Sequence, residues 1–199
     1  MTLPLAGAKV LDLTNVMSGP YCTLMLADMG ADVIKLESFP EGDMSRRFEP
    51  KVNGESYCFA VLNRNKRSIA VDLKSAAGMD VFRRLASQAD FIVENFRPDV
   101  KHKLGVDYEA AKKLNPAVIF GSVSGFGQTG PYAAKGGYDI VAQGVTGIMR
   151  MTGEAGGRPA KVGIAVNDIA PGSSLLYAML GGYILRLKAG GGQYGEISL

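Results

Sequence analysis

An α/β fold, a doubly wound parallel sheet with flanking helices, is predicted by three observations. Short runs rich in Val and Ile recur along the chain, helical patterns separate them, and 199 residues at 47% hydrophobic content can bury one large core. The elements follow in order. "AKVLDLT" (8–14) has strand composition, a helical pattern spans about 19–29, and "ADVIKLE" (31–37) is a second strand, making a βαβ unit. A polar loop runs to about Tyr57, and "RSIAVDL" (67–73) is the next strand. Ser75 is placed to cap a helix reaching about Ala89, because its hydroxyl can accept from a free first-turn N–H. "DFIVEN" (90–95) is a strand, a short helix around 107–114 follows Pro98, and "AVIFGSVS" (117–124) is a further strand. A Gly-rich loop then extends to Gly137.

Beyond it, "YDIVAQGVTGIM" (138–149) reads as one helix, "GGRPAKVG" as a loop, and Asp168 to Lys188 as a long, mainly apolar helical segment. "KAGGGQYGEISL" (188–199) turns a corner through three glycines and starts a strand at the chain terminus. A terminal strand with nothing after it is expected where a sequence has been cut or a partner chain continues the fold. No internal repeat or low-complexity tract is present.

Composition narrows the function. Lys and Arg number 22 against 19 Asp and Glu, for a net charge of +3 without long single-sign runs, so nucleic-acid binding is not indicated. Cys22 and Cys58 stand alone in apolar contexts and His102 is the single histidine, which argues against a zinc site or a disulfide framework. The N-terminus has neither a basic segment nor an unbroken apolar run, and the longest uncharged stretch, 169–185, contains Pro171 and Gly172. Neither a signal peptide nor a membrane span is expected, and a cytoplasmic location is.

"SGFGQTG" (124–130) matches G-x-G-x-x-G after a strand, yet lacks the context of a dinucleotide-binding turn. Such a turn needs a helix beginning at its third glycine, so that a pyrophosphate rests on free N–H groups. Here Gly136 and Gly137 arrive too soon after Pro131 for a helix of useful length. The motif also comes late in the chain, whereas the first βα turn, "TNVMSGPYC", has one glycine.

Several segments taken together are more specific. "VLDLTNVMSGPYCTLMLADMGADVIKLE" (10–37), "NRNKRSIAVDLK" (63–74), "VENFRPDV" (93–100), "LNPAVIFGSVSGFGQTGPY" (114–132), "GYDIVAQ" (137–143) and "VGIAVNDIAPG" (162–172) resemble, in content and order, the family III CoA-transferases, the formyl-CoA and carnitine CoA-transferase group. The resemblance implies a Rossmann-like large domain that binds coenzyme A, with residues 1–187 as its N-terminal part and 188–199 as the start of a linker to a smaller domain. It also implies an interlocked homodimer, acyl-CoA and carboxylic acid substrates, and no tightly bound cofactor or metal.

The family's nucleophilic aspartate falls on Asp168 in "VNDIAPG". A carboxylate there attacks a thioester to give an acyl-aspartyl anhydride and then an aspartyl-CoA thioester. Spacing alone favours Asp168 as a helix N-cap, a role compatible with the first, since a helix N-terminus keeps a carboxylate ionised. The resemblance implies coenzyme A contacts at Val16 and Ser18 in the first βα loop; Val71 and Lys74 close the third strand, and Asn95, Phe96 and Arg97 follow the fourth, at the strand C-termini where open α/β sheets bind ligands. Arg97, Lys103 and Lys74 are candidates for its phosphates, although a lone cation is more often a solvated surface group. Tyr138 matches a tyrosine near the thioester. The related α-methylacyl-CoA racemases carry a histidine-aspartate pair where this chain has Tyr138-Asp139, and His102 in "DVKHKLG" reads as a surface residue. Formyl-CoA transferases have His-Val-Gln where this chain has Asn15-Val16-Met17, which argues against formate or oxalate as substrate. The remaining alternative is a non-catalytic fragment that binds CoA or dimerises.

Overall fold

The computed structural model describes residues 2–199. Lys9–Asp12 (β1), Ser18–Asp28 (α1) and Asp32–Ser38 (β2) form the βαβ unit, with Val10 beside Val33 in parallel register. The segment expected as a polar loop is more structured than its composition suggests. It holds a 3-10 turn (Met44–Arg47), a two-stranded hairpin of Lys51–Val52 (β3) and Glu55–Ser56 (β4), and Tyr57–Asn63 (α2), whose cap is the Ser56 hydroxyl accepting from Phe59 N–H. Lys66–Val71 (β5), Ala76–Ala86 (α3) and Phe91–Glu94 (β6) follow, and Ser75 caps α3 through Gly78 N–H at 3.0 Å.

Pro98–Leu104 (α4) is a helix that the sequence reading missed, and the short helix expected around 107–114 is Tyr108–Leu114 (α5). Gly105, with φ of 70°, ends α4, and Asp107 caps α5. Ile119–Ser124 (β7) leads into the Gly-rich loop, in which no helix follows Gly130 before Gly137. The helix expected over 138–149 is two, Asp139–Val145 (α6) and Ile148–Thr152 (α7), because Gly147 turns the chain with φ of 82°. Val166–Ala189 (α8) and Gln193–Ser198 (β8) complete the chain, so the expected linker segment is the last turn of α8, a glycine turn and β8.

The main sheet has the order β5-β2-β1-β6-β7-β8, and every neighbouring pair in it is parallel. Strand order steps outward from β1 on both sides, so the direction of winding reverses between β1 and β6. Helices cover both faces. α1 and α8 pack Leu26, Leu175 and Met179 against Val10, Phe91 and Ile119, while α3 and α5 pack Phe82 and Ala111 against Leu11 and Phe120. Buried on two faces, β6 and β7 are closed to solvent throughout, and their polar residues, Glu94, Ser122 and Ser124, fall toward the strand C-termini. Full burial of a residue such as Phe82, Phe91 or Phe120 is worth roughly 2–3 kcal/mol. At the centre, Gly121 leaves room for α8, since a Cβ there would lie 2.7 Å from Met179 Sδ.

Candidate active site

The site lies at the strand C-termini where the winding reverses, the usual ligand position in open α/β sheets. After β1 the chain turns through Thr14–Met17 into α1. Val16 has φ of 66°, a conformation that β-branched residues rarely adopt. Such strain persists when the surroundings over-determine it. Here, Asn15 N–H donates to Asn95 Oδ1 and Asn95 Nδ2 donates back to Asn15 O, both at 2.8 Å, clasping β1 to β6 across the crevice. Val16 N–H donates to Asp43 Oδ1 at 3.1 Å and Met44 N–H to Asn15 Oδ1 at 2.9 Å. Lys35, buried, donates to Thr14 O at 2.7 Å and pairs with Asp43 at 2.8 Å.

Two further buried charges brace the strand ends. Asp12 accepts from Thr23 and Lys66; burial alone would raise its carboxyl, but Lys66, Lys35 and the Thr14 and Thr23 hydroxyls hold it well below the usual range. Glu94 receives Lys101 at 2.9 Å and Phe96 N–H at 2.8 Å, and burial pushes it upward against Lys101 and Ser122. Lys101 also donates to Ser122, which accepts Gln128 Nε2 of the Gly-rich loop at 3.1 Å.

Opposite the first βα turn, α8 begins. Its N-cap is Ala165, without a side-chain bond, so Asp168 is a first-turn residue and not the cap. Asp168, Gly172, Leu175, Leu176 and Met179 share the inward face at helical spacing. Gly172 permits close approach to α1, because a Cβ there would lie 2.5 Å from Ser18 O. The Asp168 carboxyl is raised to about 6, first by burial and second by the Asp139 carboxylate, with the Ser18 hydroxyl opposing. At neutral pH it is still about nine-tenths ionised, yet more basic than an exposed aspartate. The expected benefit of the helix N-terminus is therefore outweighed by desolvation and a like charge.

A cleft of about 260 Å³ joins these parts and is bordered by Val16, Ser18, Asn95, Phe96, Arg97, Tyr138 and Asp168. Seven of the ten residues singled out in the sequence thus meet there. Val71 and Lys74 border an adjoining cavity of about 230 Å³, and Asn15 and Phe96 wall both. Lys103 lies exposed on α4 and borders neither. Arg97 is held by Asp99 at 2.9 Å, an exposed pair worth at most about 1 kcal/mol and easily exchanged for another anion. The Tyr138 side chain is 59% exposed, and its ring edges the cleft without capping α6.

Sequence reasoning missed Met44, Ser124 and Lys135 on the cleft wall. Lys135 sits over the Tyr132 ring, 3.9 Å from its centroid, in the loop that leaves β7 and returns to α6. The ends of that loop touch: a Cβ on Gly125 would lie 2.5 Å from Gly137 Cα. The glycines in "AAKGGYD" were the available signal for this close approach. No three or more His, Cys, Asp or Glu among the described residues are grouped to hold a metal, and no described helix is long and apolar enough to cross a membrane.

Comparison with known proteins agrees with this arrangement. The chain is 44% identical over 203 residues to the succinate–glutarate CoA-transferase of Agrobacterium fabrum, covering 98% of this chain and 51% of that protein. It is 41% identical over 202 residues to the formyl-CoA:oxalate CoA-transferase of Escherichia coli, covering 100% of this chain and 48% of that one. A solved CAIB/BAIF family protein from Brucella suis superposes with a TM-score of 0.92 at 43% identity, over 98% of this chain and 52% of its own. The chain thus spans about half the length of the relatives it matches. The model for "CoA-transferase family III" matches residues 5–199, the whole sheet with its strand-end cleft and Asp168 included, and the chain belongs to that family.

Proposed function

We propose that the chain is the part of a CoA-transferase that carries the nucleophile, moving CoA from an acyl-CoA to a carboxylic acid. The observation that supports this most directly is Asp168, a half-buried carboxylate of raised basicity, opening on a cleft at the strand ends. An Asp168 oxygen attacks the thioester carbonyl, the C–S bond breaks, and CoA thiolate leaves an acyl-aspartyl anhydride. The thiolate then attacks the aspartyl carbonyl and the donor acid departs as its carboxylate, leaving aspartyl-CoA thioester. An acceptor carboxylate attacks this thioester, and the released thiolate takes the new acyl group, regenerating Asp168. Each intermediate is an activated acyl group, so the exchange requires neither metal nor tightly bound cofactor.

Coenzyme A fits across both cavities, its thioester at Asp168 and its nucleotide end toward Val71 and Lys74, bending around Asn15 and Phe96. Val16, Ser18 and Asn95 line the path, Arg97 and Lys135 are the cations on the cleft wall, and Tyr138 borders the thioester end. Lys103 reaches phosphate only as an exposed cation beyond the cavities. The relatives' names share small dicarboxylic acids, so succinyl-CoA is the first donor to test. The same proposal makes the working enzyme a cytoplasmic homodimer. Intact mass spectrometry after incubation with succinyl-CoA should show a covalent acyl or CoA adduct that vanishes in Asp168→Ala. An adduct that persists in Asp168→Ala would remove Asp168 from the mechanism.

A further inference from the structure

Two sequence-distant segments, 139–143 and 162–168, meet behind Asp168 through two side chains that the transfer chemistry does not use. Gln143 of α6 is 1% exposed, although an amide is costly to bury without partners. Its Oε1 accepts Val162 N–H at 2.8 Å, and its Nε2 donates to Asp139 Oδ2 at 2.6 Å and approaches Ile164 O at 3.4 Å. The other Asp139 oxygen accepts Asn167 N–H at 2.8 Å, the residue next to Asp168. Asp139 therefore takes two donors and gives none, as an ionised carboxylate does. It also satisfies one of the free N–H groups at the start of α8.

We propose that Asp139 and Gln143 form a positioning unit for Asp168: they anchor the first turn of α8 by its backbone and hold a second negative charge beside the nucleophile. This rests on Asp168 being the nucleophile, and it deepens that assignment by adding a fixed like charge to the burial that already raises the carboxylate's basicity. The other groups around the cleft do not supply this charge. From α1 Asp168 meets the uncharged Ser18 hydroxyl; Arg97 is paired with Asp99; Lys135 sits over Tyr132; and Tyr138 borders the opening.

The test is a 13C-carboxyl NMR titration of the aspartate-labelled protein, with the Asp168 resonance assigned by its loss in Asp168→Asn. Asp139→Asn keeps an acceptor for Asn167 N–H but removes the charge, and the Asp168 midpoint should fall by about half a unit or more. Asp139→Glu keeps a negative charge and an acceptor at this position, and the midpoint should stay raised. A fall with asparagine beside a retained midpoint with glutamate is the signature of a charge effect, which general loosening of the fold would not produce. Midpoints that fall in both variants, or in neither, overturn the proposal. The adduct assay on the unmutated protein reports separately on the nucleophile, so an absent adduct with that pair of midpoints would sink that assignment and leave the positioning geometry standing.

Discussion

Replacing Gly172 by alanine should separate catalysis from stability. The new Cβ would lie 2.5 Å from Ser18 O and 3.2 Å from Tyr21 Cδ1. Carbon–oxygen contact needs about 3.4 Å or more, so the start of α8 must move by roughly 1 Å away from α1. Overpacking of this kind costs about 1–3 kcal/mol, while Gly→Ala inside a helix returns about 1 kcal/mol. The net loss of about 0–2 kcal/mol corresponds to a fall in Tm of at most about 8 °C for a domain of this size. Asp168 is one helical turn from Gly172 on the same face, so the shift displaces its carboxyl, the proposed nucleophile, from Ser18 and the cleft. A misplacement near 1 Å costs up to about 100-fold in rate. The assay is the rate of adduct formation from succinyl-CoA by mass spectrometry, beside a thermal melt. Gly181→Ala, in the same helix with nothing within 4 Å of the new methyl, should raise Tm and leave the rate alone. An unchanged rate in folded Gly172→Ala would refute the idea that the α1–α8 approach sets the position of Asp168.

Asp168→Asn should stabilise the protein at neutral pH. The folded carboxyl, raised to about 6, binds protons that the unfolded chain has released above about 3.8, so stability falls as pH rises through that window and the penalty is complete at pH 7. Discounted for partial exposure, removing the charge is worth about 1–2 kcal/mol, and Tm should rise by a few degrees at pH 7 but not at pH 4; an equal gain at both would contradict the raised carboxyl. Lys101→Met should cost about 3–5 kcal/mol by leaving Glu94 buried without its cation. Adding Glu94→Gln should recover much of that loss, and additive losses in denaturant melts would show that the pair is not coupled.

Local chemistry was legible where one segment decides it. The Val- and Ile-rich runs gave the strands, Ser75 was a visible cap, and the short distance from Gly130 to Gly137 ruled out a phosphate-binding helix. The seven-residue helices α2 and α4 were not legible, since each is too short for a helical period to stand out against its loop. The break at Gly147 was hidden because glycine permits a positive φ without demanding it. Asp168 is singled out by resemblance alone, and its setting in the fold is not visible in the sequence. The holding of Val16 by Asp43, and of Asn167 by Asp139, joins positions 27 and 28 residues apart, and no pattern in either segment announces the other.

The contact between Gly125 and Gly137 gives the intervening loop an engineering consequence. Since its two ends already meet, its length is uncoupled from any distance it must span, and each doubling adds only about 0.6 kcal/mol of closure entropy. Residues 129–135 form a cassette that can be exchanged or lengthened while Gln128 keeps its bond to Ser122 and both Ser124 and Tyr138 keep their places. Grafting this single surface segment changes one wall of the cleft and leaves the sheet beneath it alone.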